Sequence, residues 1–221
     1  APTISIAGDS NNDGVYNAEE LGTDGTVTAT ISLPDDFDAA KDTLTINGVE
    51  YSLSADEIAA GNVTVEVAPE GTVTAQITDA AGNKSTQASA TALPADTEAK
   101  APTISIAGDS NNDGVYNAEE LGTDGTVTAT ISLPDDFDAA KDTLTINGVE
   151  YSLSADEIAA GNVTVEVAPE GTVTAQITDA AGNKSTQASA TALPADTEAK
   201  APTISIAGDS NNDGVYNAEE L

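Results

Sequence analysis

Asp9, Asn11 and Asp13 stand at alternate positions ahead of Gly14, and Glu20 closes the same twelve-residue stretch. Every side chain here that can bind a ligand does so through oxygen. The spacing matches an EF-hand loop position by position: carboxylate or amide oxygens at positions 1, 3 and 5, and a glycine for the sharp turn at 6. The Val15 carbonyl falls at position 7, Asn17 at 9, where contact often runs through water, and Glu20 at 12, where both carboxylate oxygens can close the shell. Hard oxygens in flexible geometry suit calcium, whereas magnesium demands a tighter octahedron. The stretch occurs three times, because residues 101–200 repeat 1–100 without a change and 201–221 begin a third repeat. The equivalent donors are Asp109, Asn111, Asp113, Val115, Asn117 and Glu120, then Asp209, Asn211, Asp213, Val215, Asn217 and Glu220.

The segments flanking the loop set its role. Thr3-Ile4-Ser5-Ile6 alternates as a short strand before it, and Ala18-Glu19-Glu20-Leu21 leaves room for one helical turn after it. A sensor loop sits between two long helices; this one is grafted between strands, so it is expected to stabilise rather than to open and close. Val27, Ala29, Ile31 and Leu33 share a strand face, as do Val63, Val65 and Val67, and Val73, Ala75 and Ile77. Asn47-Gly48 between two alternating runs is a strong hairpin signal. Ser54 with Glu57 forms a capping box for one short helical segment that Gly61 ends. Residues 85–92 read as a weak edge strand, and 93–102 as a linker. About seven short strands per repeat predict an all-β protein of tandem immunoglobulin-like β-sandwich domains, at 1–100 and 101–200, with 201–221 the strand and loop of a third.

Strand direction predicts a second class of ion site. The first strand runs away from the incoming linker, which places the acidic loop at the outgoing end of its domain. The turns 35–38 and 79–83 then fall at the incoming end. At a junction, Asp96 and Glu98 of the linker are expected to meet Asp135, Asp136, Asp138 and Asp179 of the next repeat, with Asn183 beside them. So many carboxylates together are costly without a cation. Asp79, Asn83, Asp196 and Glu198 are the same positions in the other repeats.

Composition narrows the partners. There are 38 acidic residues against 6 lysines, a formal charge of −32, with 17 acids and three lysines in each full repeat. Such a charge repels nucleic acid and anionic lipid. Without bound cations it also works against the compact state. No cysteine is present, so ions rather than disulfides are expected to staple the fold. Histidine and tryptophan are absent too, and the carboxylate pairs lie in small turns without aromatic subsites, which argues against an enzyme. No transmembrane run is visible, and the chain is expected to be a monomer whose partners are its own neighbouring repeats.

The run Asn11-Asn12-Asp13-Gly14-Val15 with Ala18-Glu19-Glu20-Leu21, the Asn47-Gly48 hairpin, and Ile77-Thr78-Asp79-Ala80-Ala81-Gly82-Asn83-Lys84-Ser85 resemble the tandem immunoglobulin-like extender domains of giant Gram-negative adhesins, including RTX adhesins exported by type I secretion. The resemblance covers the whole repeat. It implies secretion to the cell surface, calcium at the domain junctions, and a stiff stalk that projects a binding tip for adhesion or biofilm formation. The alternative is a module that itself binds a glycan, ice or a protein.

Overall fold

The computed structural model describes residues 1–219; Glu220 and Leu221 lie outside the described residues. The first repeat contains β1 (Thr3–Ile6), α1 (Ala18–Leu21), β2 (Val27–Ser32), β3 (Thr43–Ile46), β4 (Val49–Tyr51), α2 (Ala55–Ala60), β5 (Asn62–Val67), β6 (Thr72–Thr78) and β7 (Ala88–Thr91). The second repeats them as β8 (Thr103–Ile106), α3 (Ala118–Leu121), β9 (Val127–Ser132), β10 (Thr143–Ile146), β11 (Val149–Tyr151), α4 (Ala155–Ala160), β12 (Asn162–Val167), β13 (Thr172–Thr178) and β14 (Ala188–Thr191). Each repeat is an immunoglobulin-like sandwich of a three-stranded sheet, β1-β2-β5, and a four-stranded sheet, β4-β3-β6-β7. The strands pair antiparallel throughout both sheets.

Period two determines which residues fill each sandwich. Val27, Ala29 and Ile31 of β2 meet Val63 and Val67 of β5 on one inner face, and Leu44, Ile46, Val73, Ala75 and Ile77 supply the other. The second repeat builds a separate core from the equivalent residues. Asn47 and Gly48 both take positive φ, 50° and 80°, as a tight two-residue hairpin turn requires. Ser54 caps α2 and Glu57 returns the bond to the Ser54 amide, while Gly61 ends the helix in the left-handed region.

One contact ties the acidic loop to the core. Tyr16 is 2% exposed, the one large aromatic fully enclosed in its repeat among the described residues. It packs over Gly8, whose φ is +141°. A Cβ on Gly8 would lie 2.8 Å from Val27 Cγ1 and 3.2 Å from Tyr16 Cε1. We therefore expect Gly8→Ala to destabilise its domain by about 1–3 kcal/mol through overpacking, read as a shift in the urea midpoint.

Candidate metal centres and the junction between repeats

The loop is organised by its own acids. Asp9 accepts from the Asp13 and Gly14 amides at 3.2 and 3.1 Å, Asn11 Oδ1 from the Asp13 amide at 3.1 Å, and Asp13 Oδ1 from the Val15 amide at 2.9 Å. These side chains thus fold back over one stretch of backbone. The third repeat shows the same set: Asp209 accepts from Asp213 and Gly214, Asn211 from Asp213, and Asp213 from Val215. Its strand segment is exposed and forms no sheet, so the loop's shape is encoded locally.

Glu20 fastens the loop to its exit. Its Oε1 accepts from the Ser10 amide and hydroxyl, both at 2.7 Å, and Oε2 from the Asn17 amide at 3.0 Å. Asn17 returns a bond from the Glu20 amide at 2.9 Å, completing a capping box on α1. The Ser10 hydroxyl, followed by the Asn17 amide, holds the Glu20 carboxyl below the ordinary glutamate value. In the second repeat Glu120 is lowered in the same way, with the Asn117 amide leading. Ser10→Ala is expected to raise the Glu20 pKa toward the ordinary value, which carboxyl carbon NMR titration reads directly. Because the folded value is depressed, the stabilisation is fully present above the ordinary carboxylate range and is lost as pH falls through the folded pKa.

Position 8 of the loop binds the linker. The Tyr16 amide donates to Pro94 O at 2.8 Å and the Asp96 amide donates to Tyr16 O at 3.0 Å, a short parallel bridge. The loop therefore lies beside the outgoing linker.

The same loop also reaches the next repeat. Asn17 Nδ2 donates to Ala181 O at 2.9 Å, Asn11 Nδ2 donates to the same carbonyl at 3.4 Å, and the Ala18 amide donates to Asn183 Oδ1 at 2.9 Å. Asn183 Nδ2 donates to Asp96 O at 2.8 Å and to Asp179 Oδ2 at 3.0 Å. An internal control shows what this docking does. Ala181, Asn183 and Ser185 are buried, whereas the identical Ala81 and Asn83 are exposed and Ser85 is half-buried.

Beside this contact lies a cleft of about 250 Å³ lined by Asp96, Glu98, Lys100, Asp136, Asp142 and Asp179 together with Pro134 and Phe137. The structure thus brings Asp96, Glu98, Asp136 and Asp179 to one place. Asp135 and Asp138 do not line the cleft; Asp138 pairs with Lys141 at 3.3 Å. Asn183 is turned to protein groups instead of the cleft. Asp142 and Lys100 join the cleft although the spacing argument did not select them. Lys100 Nζ lies 2.7 Å from Asp136 Oδ2 and holds the Asp136 carboxyl below its ordinary value. Both side chains are more than half exposed, so the pair adds little stability. Asp79 and Asn83 form the same local turn in the first repeat, Asn83 Nδ2 donating to Asp79 Oδ2 at 2.9 Å. Asp196 and Glu198 are exposed, and Glu220 lies outside the described residues.

Among the described residues no group of three or more acidic side chains is drawn together closely enough to hold a metal ion. The loop's donors, wholly carboxylate, amide and carbonyl oxygen, nevertheless fit a hard cation, and the cleft offers four more carboxylates beside the one paired with Lys100. No helix among the described residues is long and apolar enough to cross a membrane.

No protein-family profile matches the chain, and no curated protein does. Similar solved structures include a Ca2+-stabilized adhesin that helps an Antarctic bacterium reach out and bind ice, 33% identical, matched over 96% of this chain and 53% of that one, with a TM-score of 0.49. The chain thus spans about half the length of that adhesin structure. Others are a surface glycan-binding protein of a Bacteroides ovatus mixed-linkage glucan locus and fibronectin(III)-like modules of Clostridium thermocellum CbhA. The first is 17% identical over 76% of this chain and 42% of that one, with a TM-score of 0.22. The second is 14% identical over 91% and 100%, with a TM-score of 0.31.

Proposed function

We propose that this chain is a segment of a calcium-stiffened stalk of a bacterial cell-surface adhesin, with no catalytic role. The observation that carries the stalk reading is the junction: one repeat's acidic loop seats directly on the next repeat's Asp-Ala-Ala-Gly-Asn turn through Asn17, Ala18 and Asn183. Identical modules joined by such a head-to-tail contact extend the chain by a fixed step per repeat. The calcium reading comes from the loop, and the adhesin, secretion and RTX readings come from the sequence resemblance.

Asp9, Asn11, Asp13, Glu20 and the Val15 carbonyl would hold an ion inside the first module, with Asn17 contributing through water. Their equivalents would do so in the later repeats. Binding there requires Glu20 to release part of its hold on Ser10. A second ion belongs in the cleft of Asp96, Glu98, Asp136 and Asp179, where it would replace the partial neutralisation that Lys100 gives. Because the loop touches both the linker and the next repeat, an ion in it stiffens the junction as well as the module.

Calorimetric titration of calcium tests the assignment. Two joined repeats are expected to bind more ions than twice the number bound by one repeat, the excess being the junctional site, and Asp136→Asn with Asp179→Asn should remove only that excess. Equal stoichiometry per repeat would remove the junctional ion from the account.

A further inference from the structure

Aspartate and asparagine are not interchangeable in the acidic loop, and the junction between the two repeats shows why. The aspartates at loop positions 1 and 5 turn their oxygens inward. Asp9 accepts from the Asp13 and Gly14 amides, and Asp13 accepts from the Val15 amide and the Asn11 side chain. Positions 3 and 9 carry asparagine, and each of these two amides has two working faces. The oxygen faces the loop: Asn11 Oδ1 accepts from the Asp13 amide at 3.1 Å and Asn17 Oδ1 from the Glu20 amide at 2.9 Å. Those backbone donors fix which end of each amide is oxygen. The nitrogens therefore face outward, and both donate to one carbonyl of the next repeat, Ala181 O, at 3.4 Å from Asn11 and 2.9 Å from Asn17. A carbonyl oxygen has two lone pairs and can accept both.

We propose that Asn11 and Asn17 link calcium in the loop to the docking of the following repeat, so that each raises the affinity of the other. The inference rests on the calcium reading of the loop and adds its regulation. A docked Ala181 carbonyl holds both amides with their oxygens turned into the loop, which removes side-chain freedom that an ion would otherwise have to freeze. An ion drawing on the Asn11 oxygen in turn polarises that amide and strengthens its N–H as a donor. Linkage makes the two effects equal: the factor by which calcium tightens the junction is the factor by which docking tightens calcium. With one short and one long hydrogen bond in the link, that factor is roughly tenfold. An aspartate at either position would keep the oxygen and set a carboxylate against the Ala181 carbonyl, two acceptors face to face.

The dependence has a direction. A loop's affinity is set by the repeat that follows it, so each repeat helps the one before it to hold its ion. Filling the loop and closing the junction then occur over one range of calcium concentration, and the junction passes from loose to stiff in a single transition.

The test uses the full chain labelled with nitrogen-15 in residues 1–100 only, titrated with calcium. The Gly14 amide donates to Asp9 Oδ2, at loop position 1, so its signal reports the ion in the first loop. Two variants open the junction from the far side without touching that loop. Asn183→Ala removes the bonds to the Ala18 amide and Asp96 O, and Ala181→Leu overfills a position that is 2% exposed. In whichever variant relaxation shows the domains tumbling separately, the Gly14 midpoint should move to roughly tenfold higher calcium. An unchanged midpoint overturns the coupling while leaving the loop an ion site. A Gly14 signal that calcium does not move in the parent chain overturns both readings. If neither variant separates the domains, docking does not rest on this contact and the coupling falls. Asn17→Asp reads the link from the loop side. At saturating calcium the first loop should be filled while the domains tumble separately, and a filled loop with the domains still moving as one body would overturn the assignment to Asn17.

Discussion

Chelating calcium is expected to lower the melting temperature of this chain by roughly 10–20 °C. An ion site saturated at a hundred times its dissociation constant contributes about 2.7 kcal/mol, and each kcal/mol is worth about 4–8 °C in a domain of this size. Two features make the loss large. The cores are thin and aliphatic, with Tyr16 and Tyr116 their only fully enclosed aromatics among the described residues. The chain also carries a formal charge of −32, which repels itself once the cations leave. General screening and specific binding separate cleanly. Raising sodium chloride in chelator screens exposed charges and should recover only part of the loss, whereas micromolar-to-millimolar calcium should recover it fully. Asp109→Asn with Asp113→Asn should cut the second domain's response to calcium to what the junctional cleft contributes, while the first responds in full. Differential scanning calorimetry with and without chelator reads all of these; melting curves that coincide would refute the loop as an ion site.

Asn183→Ala is expected to uncouple the two domains, while Asn83→Ala leaves them coupled. Each asparagine closes its own turn through the neighbouring aspartate, Asp179 or Asp79. Asn183 alone adds two bonds across the junction, accepting from the Ala18 amide and donating to Asp96 O, and it is 6% exposed. Two such bonds are worth about 1–3 kcal/mol, roughly five- to 150-fold in the balance between closed and open junctions. Asn83→Ala therefore measures the turn, and the difference between the two variants measures the junction. Nitrogen-15 relaxation should show the domains of the parent and of Asn83→Ala tumbling as one body and those of Asn183→Ala tumbling separately. Equal behaviour of the two variants would mean that the junction is held by something other than this side chain.

The sandwich was legible in the sequence because its signals are local. Alternation placed Val27, Ala29 and Ile31 on one face, Asn47-Gly48 marked the hairpin, and Ser54 with Glu57 marked the short helix. The acidic loop was legible for the same reason, and its third occurrence keeps its internal bonds without a sandwich around it. The junction was read only in part. Strand direction put the 179–183 turn near the linker, but spacing alone treated Asp135, Asp136 and Asp138 as equivalent. In three dimensions Asp136 turns to Lys100 and the cleft, Asp138 turns to Lys141, and Asp142 enters from the end of the same loop. The role of Asn183 as a protein-to-protein link was missed, since nothing in a single repeat shows what its amide meets. A signal was present in Ala81 and Ala181: an alanine at the tip of a polar turn permits close approach of another surface, and it is 2% exposed where that surface arrives.

The central claim is that calcium sets the stiffness of an extended array. Small-angle X-ray scattering of the full chain with and without chelator tests it most directly, at a concentration low enough to keep the chain monomeric. The account predicts one narrow, elongated distance distribution in calcium. In chelator, at a temperature where both domains remain folded, the distribution should broaden and the mean end-to-end distance should shorten. A scattering profile that chelator leaves unchanged would contradict it.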